Sequence, residues 1–310
     1  MSENRWHIVF APGFDESAIQ RARSAARVTV LSDVDEATLI AGVHECDALL
    51  VRTSAAVTRA VIAAAPRLKV IGRGGSGLDN IDLEAARGRG IAVVHTPDAS
   101  TDAVADLTVG MMIALVRRLP QCDEAVRTGQ FAEFRSPYCA AELNELTLGI
   151  IGLGRIGKAV ARRCAHGFGM AVVYSDIVDV GPLDFEAAAL DKFELYGRAD
   201  VVSLHVPLTD LTRGLIDTRA LRRFKTGSYL INTCRGPVVD ASALARSLES
   251  GDLAGAALDV SDPEPLPPDH PLLRARNALF APHIAARTAP SLTRMDGVVD
   301  QVIRMLVHGG

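Results

Sequence analysis

Three glycines at fixed spacing, in Gly152-Leu153-Gly154-Arg155-Ile156-Gly157, follow directly on the apolar stretch Leu148-Gly149-Ile150-Ile151. An acid, Asp176, stands nineteen positions past the last of them. Between turn and acid, residues 158–168 read as a helix and 170–174 as a second buried strand. A strand, a G-x-G-x-x-G turn, a helix and an acid at the next strand end form the fingerprint of a dinucleotide-binding βαβ unit. Gly152 permits the tight turn, Gly154 lets the backbone approach a pyrophosphate, and Gly157 lets the helix pack closely on the strand. The start of the helix offers N–H groups and the positive end of its dipole to phosphates. Asp176 would accept hydrogen bonds from an adenine ribose and repel a 2′-phosphate, which selects NAD over NADP.

A second stretch, Gly72-Arg73-Gly74-Gly75-Ser76-Gly77, fits the same pattern and also follows an apolar run, 68–71. What comes after it differs. Leu78-Asp79-Asn80-Ile81-Asp82 is turn-like and acidic, and Val94 stands where a ribose-binding acid would be needed. This loop is a poor dinucleotide site but still a nest of backbone N–H groups suited to a small anion. The chain thus reads as one cofactor turn and one substrate turn.

At 310 residues the chain is long enough for two domains, each with its own core. With 48% hydrophobic and 23% charged residues it reads as globular, and a net charge of -4 gives no general attraction to nucleic acid or anionic lipid. The apolar stretch around 109–116 is too short to span a bilayer. Residues 1–6 lack the regions of a signal peptide. Five cysteines without a C-x-x-C pair argue against a disulfide frame and a zinc site, so no metal and a reducing cytoplasm are expected. Of 33 basic residues only 4 are Lys, leaving 29 Arg, so an arginine alone is a weak signal here.

These groups need a scaffold that alternates strands and helices. Strand-like runs fall at 7–10, 27–31, 47–51, 68–71 and 91–94, with helical stretches such as 16–26 and 57–65 between them. One long helix is predicted over 101–128, and further strands at 148–151, 170–174, 200–205, 228–232, 255–258 and 278–281. This alternation predicts an α/β fold with parallel sheets and crossover helices. Composition breaks near 95–98 and 286–290 mark hinges, and 291–307 reads as one helix returning to the first domain. The expected division is 1–97 plus 288–310 as a discontinuous substrate-binding domain and 98–287 as the NAD-binding domain.

Several blocks in order resemble the D-isomer-specific 2-hydroxyacid dehydrogenase family, and within it the 3-phosphoglycerate dehydrogenase branch. They are Val70-Ile71-Gly72-Arg73 through Asp82, the cofactor turn, His205-Val206-Pro207-Leu208-Thr209, and Ile231-Asn232-Thr233-Cys234-Arg235-Gly236. Further on come Gly255-Ala256-Ala257-Leu258-Asp259-Val260, Pro263-Glu264-Pro265 and Pro282-His283-Ile284. The resemblance implies two Rossmann- or flavodoxin-like domains with an interdomain cleft. It also implies an NAD-dependent enzyme moving a hydride between nicotinamide and a small anionic 2-hydroxy or 2-oxo acid.

Arg235, Glu264 and His283 match the family's catalytic residues. In those roles His283 would be the acid for reduction and the base for oxidation, with Glu264 holding its imidazole. Arg235 would hold the substrate carboxylate and polarise the carbonyl. By the same resemblance Gly152, Gly154, Arg155, Ile156, Gly157 and Asp176 would hold the cofactor at the turn, and Val206 and Pro207 its adenine side. Thr233, Cys234, Asp259, Ala285 and Ala286 would lie around the nicotinamide. Ser76 and Gly77 would offer N–H groups to the substrate carboxylate, with Arg52, Arg73 and Arg135 as cations for a distal phosphate. Arg287 stands where relatives carry something smaller, and Asp106 where Glu is common.

A homodimer built on the 101–128 helix, with Leu107, Met111, Ile113, Leu115 and Val116, is also implied. No regulatory domain is expected after Gly310, so neither is serine feedback. Hydroxypyruvate, glyoxylate and phosphono or sulfo 2-oxo acids stand beside phosphoglycerate as substrates. Ser76 stands where phosphite dehydrogenase has lysine, and Glu264 where formate dehydrogenase has glutamine. A reading from another class is an NAD(H)-sensing, corepressor-like binding protein.

Overall fold

A computed structural model of the chain describes residues 6–308, so most of the segment read for a signal peptide lies outside it. The described chain divides into two compact units. One runs to Ser100 and resumes at Arg287, and the other is Thr101–Ala286. The first break lies three residues beyond the expected one because a helix begins at Thr101.

The first unit contains β1 (His7–Phe10), α1 (Glu16–Arg23), β2 (Arg27–Val30), α2 (Glu36–Val43) and β3 (Ala48–Val51). It continues with α3 (Arg59–Ala63), β4 (Val70–Arg73), α4 (Leu83–Gly88) and β5 (Ala92–His95). The five strands are parallel in the order β2-β1-β3-β4-β5, so the winding reverses between β1 and β3. The helices start where acids or hydroxyls cap them: Asp15, Asp35, Thr58 and Asp82 each accept a backbone N–H of the first turn. Alternation along the strands fills two layers. Val9, Leu49 and Ile71 pack with Leu39, Val43 and Val61, whereas Ile8, Phe10 and Leu50 pack on the other face with Ala18 and Ile19.

The second unit begins with α5 (Thr101–Val116), α6 (Leu119–Arg127) and α7 (Phe131–Arg135). Then come β6 (Thr147–Ile151), α8 (Arg155–Phe168), β7 (Ala171–Ser175), β8 (Ala188–Ala189), α9 (Lys192–Arg198) and β9 (Val201–Leu204). It closes with α10 (Thr218–Leu221), β10 (Ser228–Asn232), α11 (Ala241–Glu249), β11 (Leu253–Leu258) and β12 (Ala278–Phe280). Its seven parallel strands run β12-β11-β10-β9-β6-β7-β8, which is Rossmann order with one strand added. Leu148, Ile150, Val201 and Ile231 face α5 and α8, and Val202, Leu204 and Leu230 face α9 to α11.

The chain then returns to the first unit as α12 (Ala289–Asp296) and α13 (Val298–His308), whose Val298, Val299 and Val302 are fully buried in the layer with Ile8 and Phe10.

Three expectations need correction. The helix over 101–128 is two helices, because Pro120 has no N–H to continue the ladder and is tolerated only in the first turn of a new one. Arg118 takes the left-handed conformation (φ 50°) at the break. Three of the five residues assigned to a dimer face, Met111, Leu115 and Val116, are buried in the unit's own core, and Leu107 and Ile113 pack partly buried against it. The returning segment is likewise two helices, parted at Gly297, a weak helix former. The two-residue β8 has no signal in the sequence, since Ala188-Ala189 carries no strand preference.

Candidate active site

The groups singled out in the second unit stand just past the carboxyl ends of its strands. Gly152 follows β6, Asp176 follows β7, His205 follows β9, Thr233 to Arg235 follow β10, Asp259 follows β11, and His283 lies three residues past β12. The winding reverses at β6, between β7 and β9, which is where open α/β sheets take ligands.

The cofactor turn is tightly made. Gly152 has φ +89°, and a Cβ there would lie 2.6 Å from the His205 carbonyl. A Cβ on Gly157 would lie 2.2 Å from the Gly152 carbonyl, so the first turn of α8 rests on the loop itself. Gly154, the N-cap of α8, is the opposite case: it is exposed, and a Cβ there would meet nothing within 4 Å. Open space in front of a 14-residue helix N-terminus fits a pyrophosphate. Asp176 accepts from Leu153 N at 2.7 Å with Oδ2, and from Ile177 N at 2.7 Å and Val178 N at 3.2 Å with Oδ1. Its carboxylate is therefore fixed to the turn, with lone pairs left for a ribose.

His283 Nδ1 lies 2.7 Å from Glu264 Oε1, with both side chains partly exposed. An ionised carboxylate only accepts, so Nδ1 carries the proton of this bond, and Nε2 is the nitrogen left to exchange a proton with a ligand. The backbone of His283 is left-handed (φ 53°), which a non-glycine residue holds only when its surroundings enforce it. Asp259 does so. Its carbonyl accepts from His283 N at 2.8 Å, Oδ1 from Ile284 N at 2.8 Å and Oδ2 from Ala285 N at 2.9 Å. Burial pushes the Asp259 carboxyl above its ordinary range, against the pull of those two N–H groups.

Arg235 is held by its loop. Buried Asn232 accepts from Cys234 N at 3.0 Å and donates to the Arg235 carbonyl at 2.9 Å. The next residue, Gly236, presses on the Ser261 carbonyl, where a Cβ would come within 1.9 Å, so this loop abuts the segment that leads to Glu264. Thr233 Oγ1 lies 2.9 Å from Thr108 Oγ1 of α5. Burial pushes the Cys234 thiol up to about 11, which makes it a packing group and not a nucleophile. Asn232 stands in a block read for resemblance, yet no sequence signal gave it this holding role.

His205 is set between the cofactor turn and Ser203, whose Oγ lies 2.9 Å from its Nε2. Burial lowers its pKa to about 3. The unfolded chain takes up this proton near pH 6.5 and the folded chain only near 3, so stability is lost as pH falls through that window. Relative to wild type, His205→Gln is expected to lose about 2 kcal/mol less stability between pH 6.5 and 4.5, measured by urea unfolding. Equal losses would remove this assignment.

In the first unit the glycine loop lies at the carboxyl end of β4. The Gly74 and Gly75 N–H groups are taken by the Val51 carbonyl and Thr96 Oγ1, whereas those of Ser76 and Gly77 have no acceptor among the described residues. His95 Nδ1 lies 2.9 Å from the Ser76 carbonyl. Arg73 does not present a free cation face: it is buried beneath the loop, with Nη2 on Thr53 Oγ1 and Nη1 on the Gly74 carbonyl. Arg52 is paired with Asp296, a partner 244 residues away that nothing in the sequence signalled. Arg135, in the second unit, is exposed, with its guanidinium 6.0 Å from the Phe131 ring centroid. Asp102 and Asp106 bridge to Arg163, each at 2.9 Å, and so tie α5 to α8.

Comparison with known proteins gives the family. Residues 109–285, more than half of the chain, match the D-isomer specific 2-hydroxyacid dehydrogenase NAD binding domain. The chain belongs to this family. Among its relatives is a glyoxylate reductase of Thermofilum pendens, 45% identical over 83% of this chain and 77% of that protein. A D-3-phosphoglycerate dehydrogenase of Methanocaldococcus jannaschii is 39% identical over 95% of this chain, which spans only 56% of that longer protein. The crystal structure of D-lactate dehydrogenase from Aquifex aeolicus, complexed with NAD and lactic acid, superposes with a TM-score of 0.90 at 32% identity. It covers 97% of this chain and 96% of its own. The chain is thus an NAD-dependent member of the D-2-hydroxyacid dehydrogenases, built as two parallel-sheet α/β domains. No helix among the described residues is long and apolar enough to cross a membrane.

Proposed function

We propose that the chain reduces a small 2-oxo acid to its 2-hydroxy acid, with Arg235, Glu264 and His283 as the catalytic residues. The bound nicotinamide supplies the hydride that reaches the 2-oxo carbon. His283 Nε2 delivers a proton to the carbonyl oxygen, and Glu264 keeps the ring oriented through Nδ1. Arg235 takes the carboxylate and polarises the carbonyl through its planar fork. The Ser76 and Gly77 N–H groups take the carboxylate from the glycine loop. The observation that carries this reading is the 2.7 Å bond between His283 Nδ1 and Glu264, made from a left-handed backbone that Asp259 holds in place. The testing experiment is NADH oxidation over a panel of 2-oxo acids that differ only in the distal group. Turnover of at least one is expected, and turnover of none would end the proposal.

Around the cofactor we assign the pyrophosphate to Gly154, Arg155 and Ile156, the adenine side to Val206 and Pro207, and the nicotinamide end to Thr233 and Ala286. Asp176 is assigned to the ribose. Asp176→Ala is expected to raise kcat/KM with NADPH relative to NADH by about tenfold, since the loss of a like charge next to a 2′-phosphate is worth about 1–2 kcal/mol. An unchanged ratio would withdraw the ribose assignment.

A homodimer is part of the proposal, with its surface moved to α6 and α7. Leu119, Val126 and Phe131 are exposed there, at 48%, 61% and 56%. A monomer by light scattering at micromolar concentration would contradict it. The five cysteines are all free, which suits a reducing cytoplasm.

A further inference from the structure

Arg52, which the resemblance offers as a cation for a distal phosphate, is already engaged. Arg52 directly follows β3, and each of its guanidinium nitrogens meets an acceptor within the first unit. Nε donates to the Gly13 carbonyl at 3.3 Å, Nη1 to the Gly74 carbonyl at 3.2 Å, and Nη2 to the carboxylate of Asp296 at the end of α12. The group lies 4.5 Å from the Phe14 ring centroid, and the Arg52 and Asp296 side chains are only 12% and 5% exposed. A Cβ on Gly74 would lie 2.7 Å from Arg52 Nη1, so this pair sits directly under the glycine loop.

A phosphate dianion that took Arg52 in a fork would have to displace Asp296. It would leave a desolvated carboxylate without its counter-ion, close to the new dianion. Arg73 offers no replacement, being 4% exposed and bonded to Thr53 and Gly74. Arg287 is close enough to act on Arg52, but it is exposed and its charge is screened by solvent.

Resting on the reaction assigned above, we propose that Asp296 is a specificity-determining residue. It cancels Arg52 and restricts the enzyme to 2-oxo acids whose only anion is the C1 carboxylate. The distal end of the substrate is hydrogen or an uncharged polar group.

Hydroxypyruvate and 3-phosphohydroxypyruvate differ only in the distal phosphate, so the ratio of their kcat/KM values with NADH reads the proposal. In the wild-type chain hydroxypyruvate is expected to be favoured by at least tenfold. Asp296→Asn keeps an acceptor for Arg52 and removes the charge, and it is expected to shift the ratio at least tenfold toward the phosphorylated compound. A wild-type preference for the phosphorylated compound would overturn the inference and leave the reaction standing. An unshifted ratio in a folded Asp296→Asn protein would do the same, and the wild-type comparison decides if that variant does not fold. Turnover of neither compound, nor of glyoxylate, would overturn the reaction and this inference with it.

Discussion

His283→Ala is expected to lower kcat for 2-oxo acid reduction by about 10³-fold while NADH affinity stays within about threefold of wild type. The imidazole is the group whose free nitrogen, Nε2, can donate a proton once Nδ1 is committed to Glu264 at 2.7 Å. General acid catalysis by a positioned side chain is worth about 10²–10⁴ in rate. The cofactor turn stands on β6, with β11, β10 and β9 between it and β12 in the sheet order, and owes none of its bonds to His283. Loss of turnover with cofactor affinity kept therefore separates chemistry from folding. Fluorescence titration of NADH and steady-state rates on one preparation provide both numbers. If turnover held within tenfold, His283 would not be the proton donor.

The second large effect is expected from Asp259→Asn, a nearly isosteric change at a buried position. Both carboxylate oxygens accept, from Ile284 N and Ala285 N, and an amide can satisfy only one of these donors. The other N–H would face an NH₂ group, which costs about 1–3 kcal/mol for a buried unsatisfied donor. The left-handed backbone of His283 loses part of its restraint at the same time. A melting temperature lower by several degrees is expected, together with a fall in kcat of about 10²-fold at little change in NADH affinity. Wild-type kcat in the variant would mean that the loop holds His283 without Asp259.

Features written locally in the chain were the easiest to read. The glycine turn, its helix and Asp176 lie within a few dozen residues, and the apolar runs that became strands ended within two or three residues of the expected positions. Where one residue interrupts a periodic pattern, at Pro120 and Gly297, periodicity alone joined two helices into one. The trio was reached only through resemblance, because single residues beyond the ends of β10 and β12 and in a proline-rich loop leave no local pattern. Least legible were the arginines. With 33 basic residues in the chain, their type says little, and the partner that decides Arg52 comes from a helix 244 residues later. Burial of Arg73 beneath its own loop is likewise a product of the tertiary fold.

The most direct measurement follows a label. NADH deuterated at C4 on both faces is incubated with the chain and the 2-oxo acid it turns over best, and the product is weighed by mass spectrometry. The expected result is one deuterium at C2 of the hydroxy acid, with product formed in step with NADH consumed. A product without deuterium, or NADH oxidised with no hydroxy acid formed, would contradict transfer from nicotinamide to the 2-oxo carbon.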